Sequence, residues 1–250
     1  MKTTQLTLFF VFLSSFLSYS QNYNHEFGVS IGAVSIQSDY GERGDFASSY
    51  GNVGFGVGLN YYFSFDNSYS RWNAHTSDLQ NHFRLKLGAS YMQDHFIHRG
   101  RYIESLSVTA IKMAAMRGST KIYNFGGQIE YAIFDFMDER KLEPYLAIGL
   151  YYVFYDPDLT SELGDWKDNP SLIPTVYQNG SIHLQKDKTQ SFSFGFGSRY
   201  AIGESTKMVF DFRWQKFLTN NIDGLDPQLG ANKFRDWLLY AQIGVVIKVN

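Results

Sequence analysis

Between Val53 and Phe65 every second residue is large and apolar: Val53, Phe55, Val57, Leu59, Tyr61, Phe63 and Phe65. The residues between them are Gly54, Gly56, Gly58, Asn60, Tyr62 and Ser64. A period of two predicts a β-strand, because successive side chains point to opposite faces. The apolar face is unbroken, and the other face is small rather than charged, which does not suit a strand turned to water. A strand of about 9–11 tilted residues crosses a bilayer, and this stretch is long enough. It reads as one stave of a transmembrane β-barrel, apolar side to lipid and small side to the lumen.

The same alternation recurs along the chain. A first strand over 25–37 sets Phe27, Val29, Ile31 and Ala33 against Gly28, Ser30 and Gly32. Later strands are expected over 82–92, 122–134, 145–155, 189–202, 207–217 and 236–249, which makes eight with the opening stretch. None of their apolar faces carries a charge between its first and last large apolar residue. At mid-depth in a bilayer such a charge costs about 2–4 kcal/mol, so its exclusion is what lipid demands. The connections after strands one, three, five and seven are long, and those after four and six are short. Residues 66–81 depart from this, being long for an inner turn. The expected fold is all-β: an eight-stranded antiparallel up-and-down transmembrane β-barrel with long extracellular loops.

The amino terminus adds a compartment. Met1-Lys2 precedes an apolar run, LTLFFVFLSSFL, too short to span as a helix, and small residues follow at Ser18 and Ser20. Residues 1–20 read as a cleaved signal peptide and 21–250 as one barrel domain. No later segment has 18 uncharged apolar residues in a row. The absence of Cys removes thiol chemistry and disulfides. A net charge of −2 gives no basic footprint for nucleic acid. Charged residues make up 18%, below the usual figure of about 25%.

Candidate chemistry is sparse. Arg84, Lys86, Glu130, Arg199, Asp211, Arg213 and Lys248 all fall on lumen-facing positions. Strand direction puts them in one half of the barrel, where opposite charges should pair. They form either a salt-bridged plug or, through their excess of bases, a gate or anion site. The other half shows Gly54, Gly56, Gly126, Ser191, Ser193 and Gly195, so a cavity open to the outside is expected there. Asp94, His95 and His98 open the second long loop and could polarise a water or hold a metal, but no further partner is visible. Gly195-Phe196-Gly197 is strand grain and not a phosphate loop, since no helix follows. Residues 104–117 have helical spacing, and Gln178-Asn179-Gly180-Ser181 reads as a hairpin turn. No cofactor, metal site or catalytic set is expected.

The leader, the eight staves and their Gly-aromatic grain resemble the small OmpA/OmpX-like outer-membrane barrels of Bacteroidota. Ala115-Met116-Arg117-Gly118-Ser119-Thr120-Lys121 and Asp223-Gly224-Leu225-Asp226-Pro227 resemble a flavobacterial family of such barrels. The resemblance implies no activity and transfers no functional residue. Unlike OmpA itself, no periplasmic peptidoglycan-binding domain is expected after the barrel. The expected role is structural, binding or envelope-assembly accessory, without catalysis. Outer-membrane lipid and lipopolysaccharide are the implied surroundings, with an envelope protein as partner through the external loops. A narrow channel for small solutes and a hydrolase with a rim site near Asp94 and His95 remain as alternatives.

Overall fold

The structure is a computed structural model that describes residues 23–41, 51–65, 82–134, 141–178, 180–227 and 236–249. Residues 1–20, expected to be a signal peptide, and the connection 66–81 lie outside the described residues, as does Asn179 of the turn expected over 178–181. Eight strands form a closed antiparallel barrel in chain order. They are β1 (Tyr23–Gln37), β2 (Gly54–Phe65), β3 (Phe83–Ile97), β4 (Met116–Ala132), β5 (Leu142–Ser161), β6 (Asp187–Ala201), β7 (Thr206–Phe217) and β8 (Trp237–Val249). Closure is made by β1 on β8, from His25 opposite Val249 to Gln37 opposite Trp237. We call the end holding Tyr23 and Val249 the terminal end, and the opposite one the far end.

The facing predicted for the strands is observed. Phe27, Val29, Ile31, Phe55, Leu59, Leu87, Ile148, Phe194 and Ile247 lie on the outer wall, with Leu59 65% and Ile148 61% exposed. So large a continuous apolar surface suits lipid and not water. Aromatic pairs edge the belt, with Tyr91 on Tyr123 and Trp214 on Trp237 toward the far end, and Phe27 on Tyr61 toward the terminal end.

The strands run further than predicted. β5 has 20 residues, about 65 Å at 3.3 Å each, well beyond what a hydrocarbon core of about 30 Å requires. Beyond the belt the outer positions of β3, β4 and β5 turn polar: Gln93 and His95, Lys121 and Ser119, Asp156 and Asp158. These residues read as loop in the sequence, because outside the bilayer nothing demands an apolar outer face. The connections after β3 and β5 are correspondingly shorter than expected.

The free edges of this three-stranded extension are blocked. On the β3 side the Asn52 amide donates to the Ile97 carbonyl at 3.1 Å and accepts from the Ile97 N–H at 3.3 Å. On the β5 side Trp166 donates its indole N–H to the Leu159 carbonyl at 3.0 Å, and Pro157 offers no N–H. Both devices blunt an edge that could otherwise pair with another chain. The helix expected over 104–117 is shorter. A 3-10 turn at Arg101–Ile103 precedes α1 (Val108–Ala114), capped by the Ser107 hydroxyl on the Ala110 N–H, and Arg117 belongs to β4.

Candidate functional site

The lumen is layered by depth. At the terminal end Arg84 faces Glu26 at 3.8 Å, Glu130 at 3.7 Å and Glu143 at 3.6 Å. Arg199, fully buried, bonds Glu26 at 3.0 Å and also Glu130, and its guanidinium lies 4.3 Å from the Tyr62 ring. Lys207 binds Glu143 at 2.7 Å. One step deeper, Asp211 accepts from the Tyr145 hydroxyl and the Gln242 amide, each at 2.7 Å, with the Lys86 ammonium at 3.5 Å. Above it Arg213 sits between Tyr151 and Tyr240. A neutral layer follows, in which Gln215 donates to Asn124 at 2.8 Å and Ser191 at 2.7 Å, and Gln128 donates to Ser193 at 3.2 Å.

Six of the seven predicted lumen charges are thus buried in one half of the barrel: Arg84, Lys86, Glu130, Arg199, Asp211 and Arg213. Lys248 is not among them. It has the inward parity and stands opposite Glu26, but it is the penultimate residue of β8 and its side chain is exposed at the rim. Glu26, Glu143 and Lys207 were missed by sequence reasoning, although parity was a sufficient signal. Glu26 shares its face with Gly28 and Ser30, Glu143 with Tyr145 and Ala147, and Lys207 with Asp211.

The open cavity expected in the other half is overturned. Val34, Ile36, Met92, Met116, Ile122, Val153, Phe217 and Leu238 point inward there and are buried together. Tyr40, Ile173, Tyr177, Ile222 and Leu225 fold in over them from the connections. Gly56 does not leave space; it receives these side chains. A Cβ on Gly56 would meet Tyr240 at 2.9 Å, Val34 at 3.0 Å and Met92 at 3.1 Å.

The rim arrangement of Asp94 and His95 does not form either. They are neighbours on β3 and so point to opposite sides, Asp94 fully buried and His95 exposed. The Asp94 carboxylate is occupied by the backbone N–H groups of Ile36 at 3.1 Å and His95 at 2.8 Å, sealing the seam where β1 leaves β2. Among the described residues no group of three metal-ligating side chains converges.

His98, past the end of β3, is instead part of an aromatic stack that caps the far end. Its ring lies 4.6 Å from Tyr40 and 5.6 Å from Tyr177. Asp223, from the β7–β8 connection, ties the cap together by accepting the N–H of Asp39 at 2.7 Å and of Leu225 at 2.9 Å. Burial lowers the His98 imidazole from 6.5 to about 4 and raises the Asp223 carboxyl from 3.8 to about 7. The signs oppose. Unfolding exposes His98 to protonation, so its contribution is lost as pH falls from 6.5 to 4. Asp223 holds its proton more tightly when folded, so its contribution is lost as pH rises from 3.8 to 7. The two windows overlap, so the contributions offset one another in the wild type. We expect His98→Gln to leave cap stability falling as pH rises from 4 to 7, and Asp223→Asn to leave it falling as pH drops from 6.5 to 4. Hydrogen exchange of the Leu225 amide, variant against wild type at each pH, measures both, and an unchanged pH dependence would contradict the assignment.

No family model and no curated protein sequence matches the chain. Among solved structures it is similar to Neisserial surface protein A (NspA), at 11% identity, over 92% of this chain and 100% of that one, with a TM-score of 0.50. It is also similar to a major outer membrane protein from Thermus thermophilus, at 14% identity, over 90% of this chain and 99% of that one, with a TM-score of 0.50. At these identities the likeness is one of fold, and the fold is that of a small eight-stranded outer-membrane β-barrel.

Proposed function

We propose that the protein is an integral outer-membrane barrel with a sealed lumen, acting as a non-catalytic anchor for the structure at its far end. Residues 1–20 direct export, the terminal end faces the periplasm and the far end faces outward. The observation that supports this reading over a channel is the filling of the lumen: a salt-bridged layer at one end and a buried apolar plug at the other. A water path would need both to move.

Lipid and lipopolysaccharide surround the belt. A binding or assembly role falls to the far-end connections. There α1 and its approach expose Leu106, Val108 and Ile111, and Leu163 of the next connection is also exposed. The polar band of Gln93, His95, Lys121 and Asp156 separates these groups from the lipid belt, which favours an envelope protein as their partner. The test of the sealed lumen is reconstitution into planar bilayers. We expect insertion without stepwise conductance; a steady unitary conductance would replace this reading by the narrow channel.

A further inference from the structure

Arg213 stands apart from the other buried cations of the lumen. Arg84, Lys86 and Arg199 each have a carboxylate within ion-pair distance. Arg213 is 3% exposed, and among the described residues no carboxylate reaches it within 4.0 Å. Its guanidinium carbon lies 4.6 Å from the centre of the Tyr151 ring and 5.2 Å from that of Tyr240. One terminal nitrogen meets only the Met92 sulfur, at 4.0 Å, and Nε has no partner. The acid nearest in sequence on the same face, Asp211, is taken by Tyr145, Gln242 and Lys86.

A guanidinium presents five N–H donors and cannot shed its charge. Two ring faces offset part of its desolvation but accept none of these N–H groups in the plane of the guanidinium. In the charged layer Glu26, Glu130, Glu143 and Asp211 face Arg84, Lys86, Arg199 and Lys207, and Arg213 stands beyond this set. The wall beside Arg213 is small. Gly195 is its register partner on β6; a Cβ placed there would meet the Phe212 carbonyl oxygen at 3.0 Å, while the nearest side-chain atom, of Ala147, lies at 3.9 Å.

We propose that Arg213 binds a small monovalent inorganic anion, of the chloride class, inside the closed lumen. A single guanidinium without a carboxylate partner calls for one negative charge. The apolar plug on one side and the Lys86–Asp211 layer on the other exclude an organic acid. Strong hydrogen-bond acceptors are what this guanidinium lacks, and a halide is one that fits beside aromatic faces.

The test uses the folded full barrel in detergent. Thermal unfolding is measured in sodium chloride and in sodium gluconate at equal ionic strength, for wild type and Arg213→Met. Chloride should raise the wild-type Tm by about 2–4 °C and leave the variant unmoved. Equal wild-type Tm in both salts, or the same chloride dependence in the variant, would overturn the proposal. Should Arg213→Met fail to fold, wild-type crystals grown in bromide decide it. An anomalous peak in contact with the guanidinium supports the proposal, and water alone at that position refutes it.

Discussion

Replacing Arg199 by Met is expected to destabilise the folded barrel by about 3–5 kcal/mol. The side chain is fully buried on β6, and it joins Glu26 of β1 to Glu130 of β4 across the lumen. Removing it leaves two carboxylates at 7% and 1% exposure, with Arg84 as the remaining shared cation, at 3.8 and 3.7 Å. Arg84 and Lys207 are then left to face Glu26, Glu130 and Glu143, two bases against three acids. The penalty is that of stranding charge and not of losing one attractive contact. The double variant Arg199→Met/Glu130→Gln should therefore be more stable than Arg199→Met alone. Urea titration of the barrel in lipid vesicles, followed by tryptophan fluorescence, gives both values. A single-variant loss below about 1 kcal/mol would mean that water reaches the cluster.

Leu59→Arg should cost about 2–4 kcal/mol in the same assay. Leu59 is central in the outward series of β2 and stands between Val29 of β1 and Ala89 of β3, so an arginine there has apolar neighbours on both adjacent strands. The control is Gly203→Ser in the β6–β7 turn, where an added Cβ meets nothing within 4 Å. Gly56 would be a poor control, since a side chain there drives into Tyr240 and Val34. Equal loss at positions 59 and 203 would contradict the lipid-facing assignment.

The outer wall was legible from the sequence because the bilayer imposes one simple rule on it. An outward charge is expensive through the middle of the belt, so Phe27, Leu59 and Phe194 announce their facing by alternation alone. The lumen has no such rule. Its inward positions hold Glu26 and Arg199 near one end and Ile36, Ile122 and Leu238 near the other, and both fit a closed interior. The apolar inward residues were legible individually. Their joining into a plug depends on Tyr40, Ile173 and Ile222 arriving from connections whose course follows no period. The same holds for the far extension, where Asp94 is buried by a contact with Ile36 of β1 that no local pattern reveals.

The closing seam between β1 and β8 bears on the order of assembly. Seven of the eight strand pairings join neighbours in the chain, and only β1 with β8 joins its two ends. Such a pairing carries the largest loop-closure entropy and is expected to form late. Glu26 belongs to that late event: its ion pair with Arg199 spans 173 positions and exists only once the cylinder is shut. A contact absent from the rate-limiting step leaves the forward rate alone and acts on the reverse. Glu26 is therefore a clasp in the kinetic sense, holding the seam against reopening, and its loss should show as faster unfolding at an unchanged rate of folding.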